Sequence, residues 1–161
     1  MIFSYKGKSY PEILKNGNAM QYILPIASQF CKGKGIDVGC GNWCLPGAEP
    51  WDISSGGPAN NLPEKKYDYI FSSHCLEHVV DPVSAVEHWR DRLNPNGCLF
   101  LYLPHPDMEY WRPANNRKHL HILHPEDVAH MLRSLGFVNV LHSERDFYWS
   151  FVVVGFTGAM G

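Results

Sequence analysis

The chain has 161 residues, with 14 basic against 16 acidic side chains and a formal net charge of -2. Hydrophobic residues make up 45% and charged ones 19%, which excludes an intrinsically disordered chain. One domain of this length buries roughly 70% of the surface its unfolded form exposes, and near-neutral charge gives no bulk attraction to nucleic acid or an anionic membrane.

The opening Met1-Ile2-Phe3-Ser4-Tyr5-Lys6 lacks the basic cap and apolar stretch of a secretory signal, and no later run approaches the roughly 20 apolar residues of a membrane span. A cytoplasmic protein is the expectation. Tyr10 to Phe30 carries Ile13, Leu14, Tyr22, Ile23, Ile26, Ala27 and Phe30 at helical spacing. This predicts an N-terminal helical segment within residues 1–30, either one helix or two short ones, because Asn16-Gly17-Asn18 and Pro25 interrupt it. Lys32-Gly33-Lys34-Gly35 reads as a turn and Ile36-Asp37-Val38 as a short strand. Residues 42–66 are rich in Gly, Pro and Asn, with a weak strand ending at Trp51-Asp52-Ile53.

Tyr67 to Phe71 reads as a strand, and Pro82 to Leu93 as a helix with proline in its first turn. After the turn Asn94-Pro95-Asn96-Gly97, Cys98 to Leu103 suits a strand buried on both faces. A loop rich in Pro, Asn and His leads to a helix from His124 to Leu135, ended by Gly136. Phe137 to Leu141 and Tyr148 to Phe156 complete the chain as strands. Alternating strands and helices predict a single α/β domain over residues 1–161 with a mostly parallel sheet. The five cysteines, Cys31, Cys40, Cys44, Cys75 and Cys98, are read as reduced, buried thiols. Cys40 and Cys44 lack the second pair that a structural zinc site requires.

Asp37-Val38-Gly39-Cys40-Gly41-Asn42 closes the first core strand, and its glycines permit a sharp turn and close approach of a ligand to the main chain. Position 44 is Cys, so the loop is not a dinucleotide fingerprint, and an acid ahead of it suits a cationic ligand. Asp52, at the tip of the next strand, stands where an acid accepts hydrogen bonds from a ribose diol.

Gly35-Ile36-Asp37-Val38-Gly39-Cys40-Gly41 resembles the first motif of class I S-adenosylmethionine-dependent methyltransferases. Tyr67 to Val79, with Leu76-Glu77-His78, resembles that family's fourth-strand segment, and Arg90 to Gly97 its turn into the fifth strand. The resemblance covers residues 33–156. It implies a Rossmann-like three-layer fold with an antiparallel C-terminal strand and S-adenosyl-L-methionine as cofactor. Asp37, Gly39, Cys40 and Gly41 would lie under its methionine part, Asp52 would hold the ribose, and Ile53 and Leu62 would flank the adenine. Asn60 or Asn61 would meet the adenine amino group, with Ser73 and His74 bordering the sulfonium. Two positions depart from the family pattern: Trp43 stands where a third glycine is common, and an acid ahead of Leu62-Pro63 is missing.

Nine histidines are many for this length. His74, Glu77 and His78 follow one strand, and His105, His119, His121 and His124 follow its neighbour. They read as scaffold and loop ties, or as a general base for a hydroxyl acceptor, with His74 first and His119 second. H-x-x-E-H is similar to the E-x-x-E-H of metal-dependent small-RNA 2′-O-methyltransferases, but its first Glu is His74 here. No metal is expected; in that alternative the donors would be Glu77, His78 and His121.

The expected activity is methyl transfer to a small-molecule or glycan acceptor, with a non-catalytic domain acting through a protein partner as the alternative. Asp37 and Asp68 are only 31 positions apart (68 − 37), whereas two crossovers between three strands need about 60 residues, at roughly 30 per βαβ unit. The sheet is therefore expected to be shortened around its second and third strands. The acceptor would be enclosed by the histidine-rich loop, the N-terminal segment or a second subunit, which makes a homodimer an expectation too.

Overall fold

The computed structural model describes residues 1–159, without the side chains of Ile13 and Asn16, so the helical spacing assigned to Ile13 lies outside the described side chains. The chain opens with a hairpin, β1 (Ile2–Tyr5) and β2 (Lys8–Pro11), followed by a 3₁₀ turn (Glu12–Asn16). Lys6 and Gly7 both take positive φ, 49° and 76°, at the two positions of the hairpin turn, as a twisted two-residue connection demands. The strands over residues 2–11 correct the helical segment expected across 1–30, while the break expected near Gly17 is present, with the 3₁₀ turn before it and a helix after it. Within residues 1–30 the α-helix is α1 (Met20–Phe30), and it runs through the exposed Pro25.

The core is a six-stranded sheet in the order β4-β3-β5-β6-β8-β7. Its strands are β3 (Gly35–Val38), β4 (Glu49–Trp51), β5 (Tyr67–Ser73), β6 (Leu93–Pro104), β7 (Val138–His142) and β8 (Ser150–Phe156). The first four run parallel, while β8 is antiparallel to both β6 and β7. The turn expected at Asn94–Gly97 is a four-residue bulge inside β6: Tyr67 pairs with Leu93, whereas Tyr69 pairs with Cys98.

Alternate residues of β6 explain why its apolar run is continuous. Leu99, Leu101 and Leu103 face α2 (Pro82–Arg90) and α3 (Pro125–Ser134), packing with Val86, Trp89, Val128 and Leu132. Cys98, Phe100 and Tyr102 face α1 through Ile23 and Ala27. Burial on both faces is the three-layer pattern of a parallel α/β sheet. From 52 to 66 the chain makes only turns and bends, so β4 is the sheet edge and the expected shortening is present. Two indoles tie this segment down: Trp51 donates to the Pro58 carbonyl at 3.0 Å and Trp89 to that of Ala59 at 2.6 Å.

Candidate active site

The parallel strands β3, β4 and β5 end together, which is where open α/β sheets bind ligands. Directly after β3, the Gly39 N–H donates to the Trp51 carbonyl at 2.6 Å, so Asp52 comes to lie beside the glycine loop. Gly39 has φ +76°, and a Cβ there would come within 2.4 Å of Cys75 Sγ. Gly41 also has positive φ, +56°, with open space where a Cβ would stand. The first glycine is thus required by packing, and the second leaves room for a ligand.

Asp37 is 1% exposed. Its Oδ2 accepts from the Leu45 N–H at 2.7 Å, while Oδ1 is buried without a partner. Burial pushes this carboxyl up to about 7, against the Leu45 N–H and with help from the Asp52 charge. Asp52 itself accepts from Ser54 N at 3.3 Å and Oγ at 3.0 Å.

A cavity of about 460 Å³ opens on the loop. Its floor is Asp37, Gly39 to Trp43, Ser73 and His74, and its roof comes from Leu14, Lys15, Gly17 to Met20, Tyr22, His78, Tyr110, Trp111, Asn116, Lys118, His119 and Tyr148. The hairpin holds the roof in place: Tyr10 and Leu14 bury against Met108 and Trp111. Tyr10 meets Trp149 edge-on at 4.8 Å, and Tyr22 stacks on Tyr148 at 3.9 Å. The enclosure therefore comes from the chain's own N-terminal segment and the loop after β6.

His74 has φ +49° and is held there by its N–H, which donates to the Tyr102 carbonyl at 2.7 Å. Its Nε2 is 2.9 Å from Ser150 Oγ, and its ring meets Trp111 edge-on at 5.0 Å. Burial pushes its pKa down to about 3, with His119 and His78 adding to the effect. His119, 7% exposed, is pushed down to about 4 by burial and by His78, whose ring lies 4.5 Å away. His78 Nδ1 lies 2.6 Å from the Lys118 carbonyl and His121 Nε2 lies 2.7 Å from that of Val79. A carbonyl only accepts, so both nitrogens carry protons.

Glu77 is fully buried with neither carboxylate oxygen hydrogen-bonded, and burial pushes it up to about 8. The Glu77, His78 and His121 donors do not converge. Among the described residues the three donor side chains that meet within 4.8 Å are Asp37, Cys40 and Cys44. Cys40 and Cys44 are joined as a disulfide, which corrects the expectation of free thiols at these positions: the glycine turn brings their Cα atoms to 4.8 Å. Cys31, Cys75 and Cys98 are free.

Of the residues singled out from sequence, Asp37, Gly39, Cys40, Gly41, Trp43, Ser73, His74, His78 and His119 line the cavity. Asp52, Ile53, Asn61 and Leu62 lie outside it. Ile53 is 86% exposed and Asn61 is exposed, whereas Leu62 is 2% exposed in the main core, its N–H donating to His88 Nε2 at 2.9 Å. Leu62 thus offers no open face, because the shortened 52–66 segment folds it inward. Sequence reasoning missed Lys15, Asn18, Tyr22 and Tyr148. Tyr22 sits at helical spacing and reads as core, and nothing local marks the others.

Residues 16–142 match a family model described as a methyltransferase domain. No curated protein matches the chain by sequence. Among solved structures, a SAM-dependent methyltransferase from Thermotoga maritima, described as a possible histamine N-methyltransferase, superposes with a TM-score of 0.69 at 14% identity, over 90% of this chain and 92% of the other. A SAM-dependent methyltransferase from Archaeoglobus fulgidus gives 0.69 at 17% identity, over 88% and 94%. The Burkholderia thailandensis 1,6-didemethyltoxoflavin N1-methyltransferase, solved with that compound and S-adenosylhomocysteine, gives 0.67 at 16% identity, over 91% and 81%. With the family model spanning most of its length, the chain belongs to the methyltransferase-domain family.

Proposed function

We propose that the protein transfers a methyl group from S-adenosylmethionine to a small-molecule acceptor held under the aromatic roof. The observation that carries this reading is the unpartnered, buried Asp37 Oδ1 beside a glycine loop with open space at Gly41. A buried acceptor without a donor is costly, and the ammonium of the cofactor's methionine part supplies one. Gly39 to Gly41 would cradle that part through the main chain, and Ser73, whose hydroxyl is also buried and unpartnered, would border it with His74. Asp52 would take the ribose hydroxyls, and the exposed Ile53 and Asn61 the adenine. Leu62 supports that wall from the core. The bound cofactor supplies a methyl already activated by its sulfonium.

The protein's share of the work is alignment and exclusion of water, which can supply several kcal/mol of a displacement barrier. The roof residues Trp111, Tyr22 and Tyr148 confine the acceptor. His74, and His119 after it, are neutral at physiological pH and would accept a hydrogen bond from a hydroxyl acceptor; burial makes both weaker bases than a free imidazole, so their part is to orient the hydroxyl as the methyl is taken. A cavity of about 460 Å³ lies in the range of small-molecule sites, about 300–1,000 Å³, which favours a metabolite or one terminal sugar over a polymer. The test is to incubate the protein and a cell extract with methyl-labelled S-adenosylmethionine and to separate products by mass. Label in the low-mass fraction is expected, and label confined to protein or nucleic acid would overturn the small-molecule assignment.

A further inference from the structure

The roof of the cavity differs in charge from its floor. Among the described lining residues Asp37 is the only acid, and it belongs to the glycine loop. The opposite side carries Lys15 and Lys118, along with the imidazoles of His78 and His119 and the amides of Asn18 and Asn116. Lys15 is held in place, its ammonium 4.0 Å from the Phe3 ring centroid and 5.2 Å from that of Tyr110. Two further polar atoms on this side are buried without partners, Asn18 Oδ1 and Tyr22 OH. Neither is explained by the seat assigned to the cofactor, which lies at the loop.

We infer that the acceptor is a hydroxyl-bearing small anion, its phosphate or carboxylate placed between Lys15 and Lys118 and its hydroxyls on Asn18 and Tyr22. The inference rests on the methyltransferase reading and deepens it. A cationic amine would meet two ammonium groups with no carboxylate on that side, a like-charge arrangement that disfavours binding. An anion gains two cations there, one of them fixed against the Phe3 and Tyr110 rings. Asn18 Oδ1 accepts only, so its missing partner is a donor such as a hydroxyl. Tyr22 OH donates or accepts and fits the same polyol. With the anionic end at the lysines, the opposite end of a compact ligand reaches His74 and Ser73 beside the loop, which places a hydroxyl rather than the anion at the reacting position.

The experiment is calorimetric titration of the protein, saturated with S-adenosylhomocysteine, with glucose 6-phosphate, gluconate, glucose and glucosamine. One or both anions should bind at least tenfold more tightly than glucose and glucosamine, and the one that binds identifies phosphate or carboxylate. The Lys15→Ala/Lys118→Ala double variant should erase that preference while its affinity for S-adenosylhomocysteine is unchanged. Asn18→Leu should weaken glucose 6-phosphate or gluconate several-fold and leave inorganic phosphate or acetate unaffected. Equal binding of the neutral and cationic sugars, no binding of either anion, or a preference that survives the double variant would overturn the inference. Failure of S-adenosylhomocysteine itself to bind would instead remove the reading beneath it.

Discussion

Glu77 shows how one buried group sets a pH dependence. Its folded pKa, about 8, stands above the ordinary 4.5, so the folded chain keeps a proton that the unfolded chain releases. The stability this contributes is fully present below about pH 4.5 and is lost as pH rises through about 8. Gln does not titrate, so Glu77→Gln should unfold at a higher temperature than the parent at pH 8, with the gap shrinking toward pH 4.5. A gap independent of pH in thermal unfolding would show that Glu77 is not the titrating group. His74 has the opposite sign. Its folded pKa is depressed, so its contribution is present above about 6.5 and is lost as pH falls toward about 3. For methyl transfer to a hydroxyl, His74→Ala should lower kcat by less than the roughly 10²–10⁴-fold of a base tuned near neutral pH, because burial has weakened this imidazole as a base. The parent kcat should show no inflection near pH 6.5. An unchanged kcat in the variant would assign the proton to His119 or to solvent.

At the scale of elements, the hairpin is a cover. Tyr10 is fully buried in the cluster that holds Trp111 over the cavity, and its hydroxyl has no partner. Tyr10→Phe should therefore be neutral or stabilising in thermal unfolding. Tyr10→Ala should cost about 3–5 kcal/mol and raise the KM for the acceptor, leaving affinity for S-adenosylhomocysteine intact. A matching loss of cofactor affinity would show that the hairpin supports the loop rather than the roof. This element is also where sequence reasoning failed. Tyr10 and Leu14 fit helical spacing with Tyr22 and Ile23, and Lys at the first turn position hides a hairpin that Asn-Gly would have announced. The glycine loop was legible because its requirements are local: a buried strand, an acid and two glycines. Leu62 was not, because whether it faces a ligand or the core depends on how 52–66 folds against Trp51 and Trp89. The Cys40–Cys44 bond was hidden for the same reason, since spacing alone does not show that a turn brings the two Cα atoms together.

At the scale of the whole molecule, the sheet ends at the three-residue β4 because residues 52–66 make turns and bends in place of a crossover helix and a further strand. The cofactor side is shortened, and the cavity is covered in part by the same chain, through Leu14, Tyr22, Tyr110, Trp111 and His119. What the shortened edge retains is the pair of acids at the ends of neighbouring parallel strands, Asp37 at the loop and Asp52 beside it. The account stands on these two holding one cofactor. The direct measurement is calorimetric titration with S-adenosylhomocysteine of the parent and of Asp52→Ala. The account predicts one site per chain in the parent. In the variant it predicts an affinity at least tenfold weaker, corresponding to about 1.4 kcal/mol, with a loss of thermal stability no larger than the two Ser54 hydrogen bonds account for, about 1 kcal/mol. Absence of heat in the parent, or equal affinity in the two proteins, would contradict it.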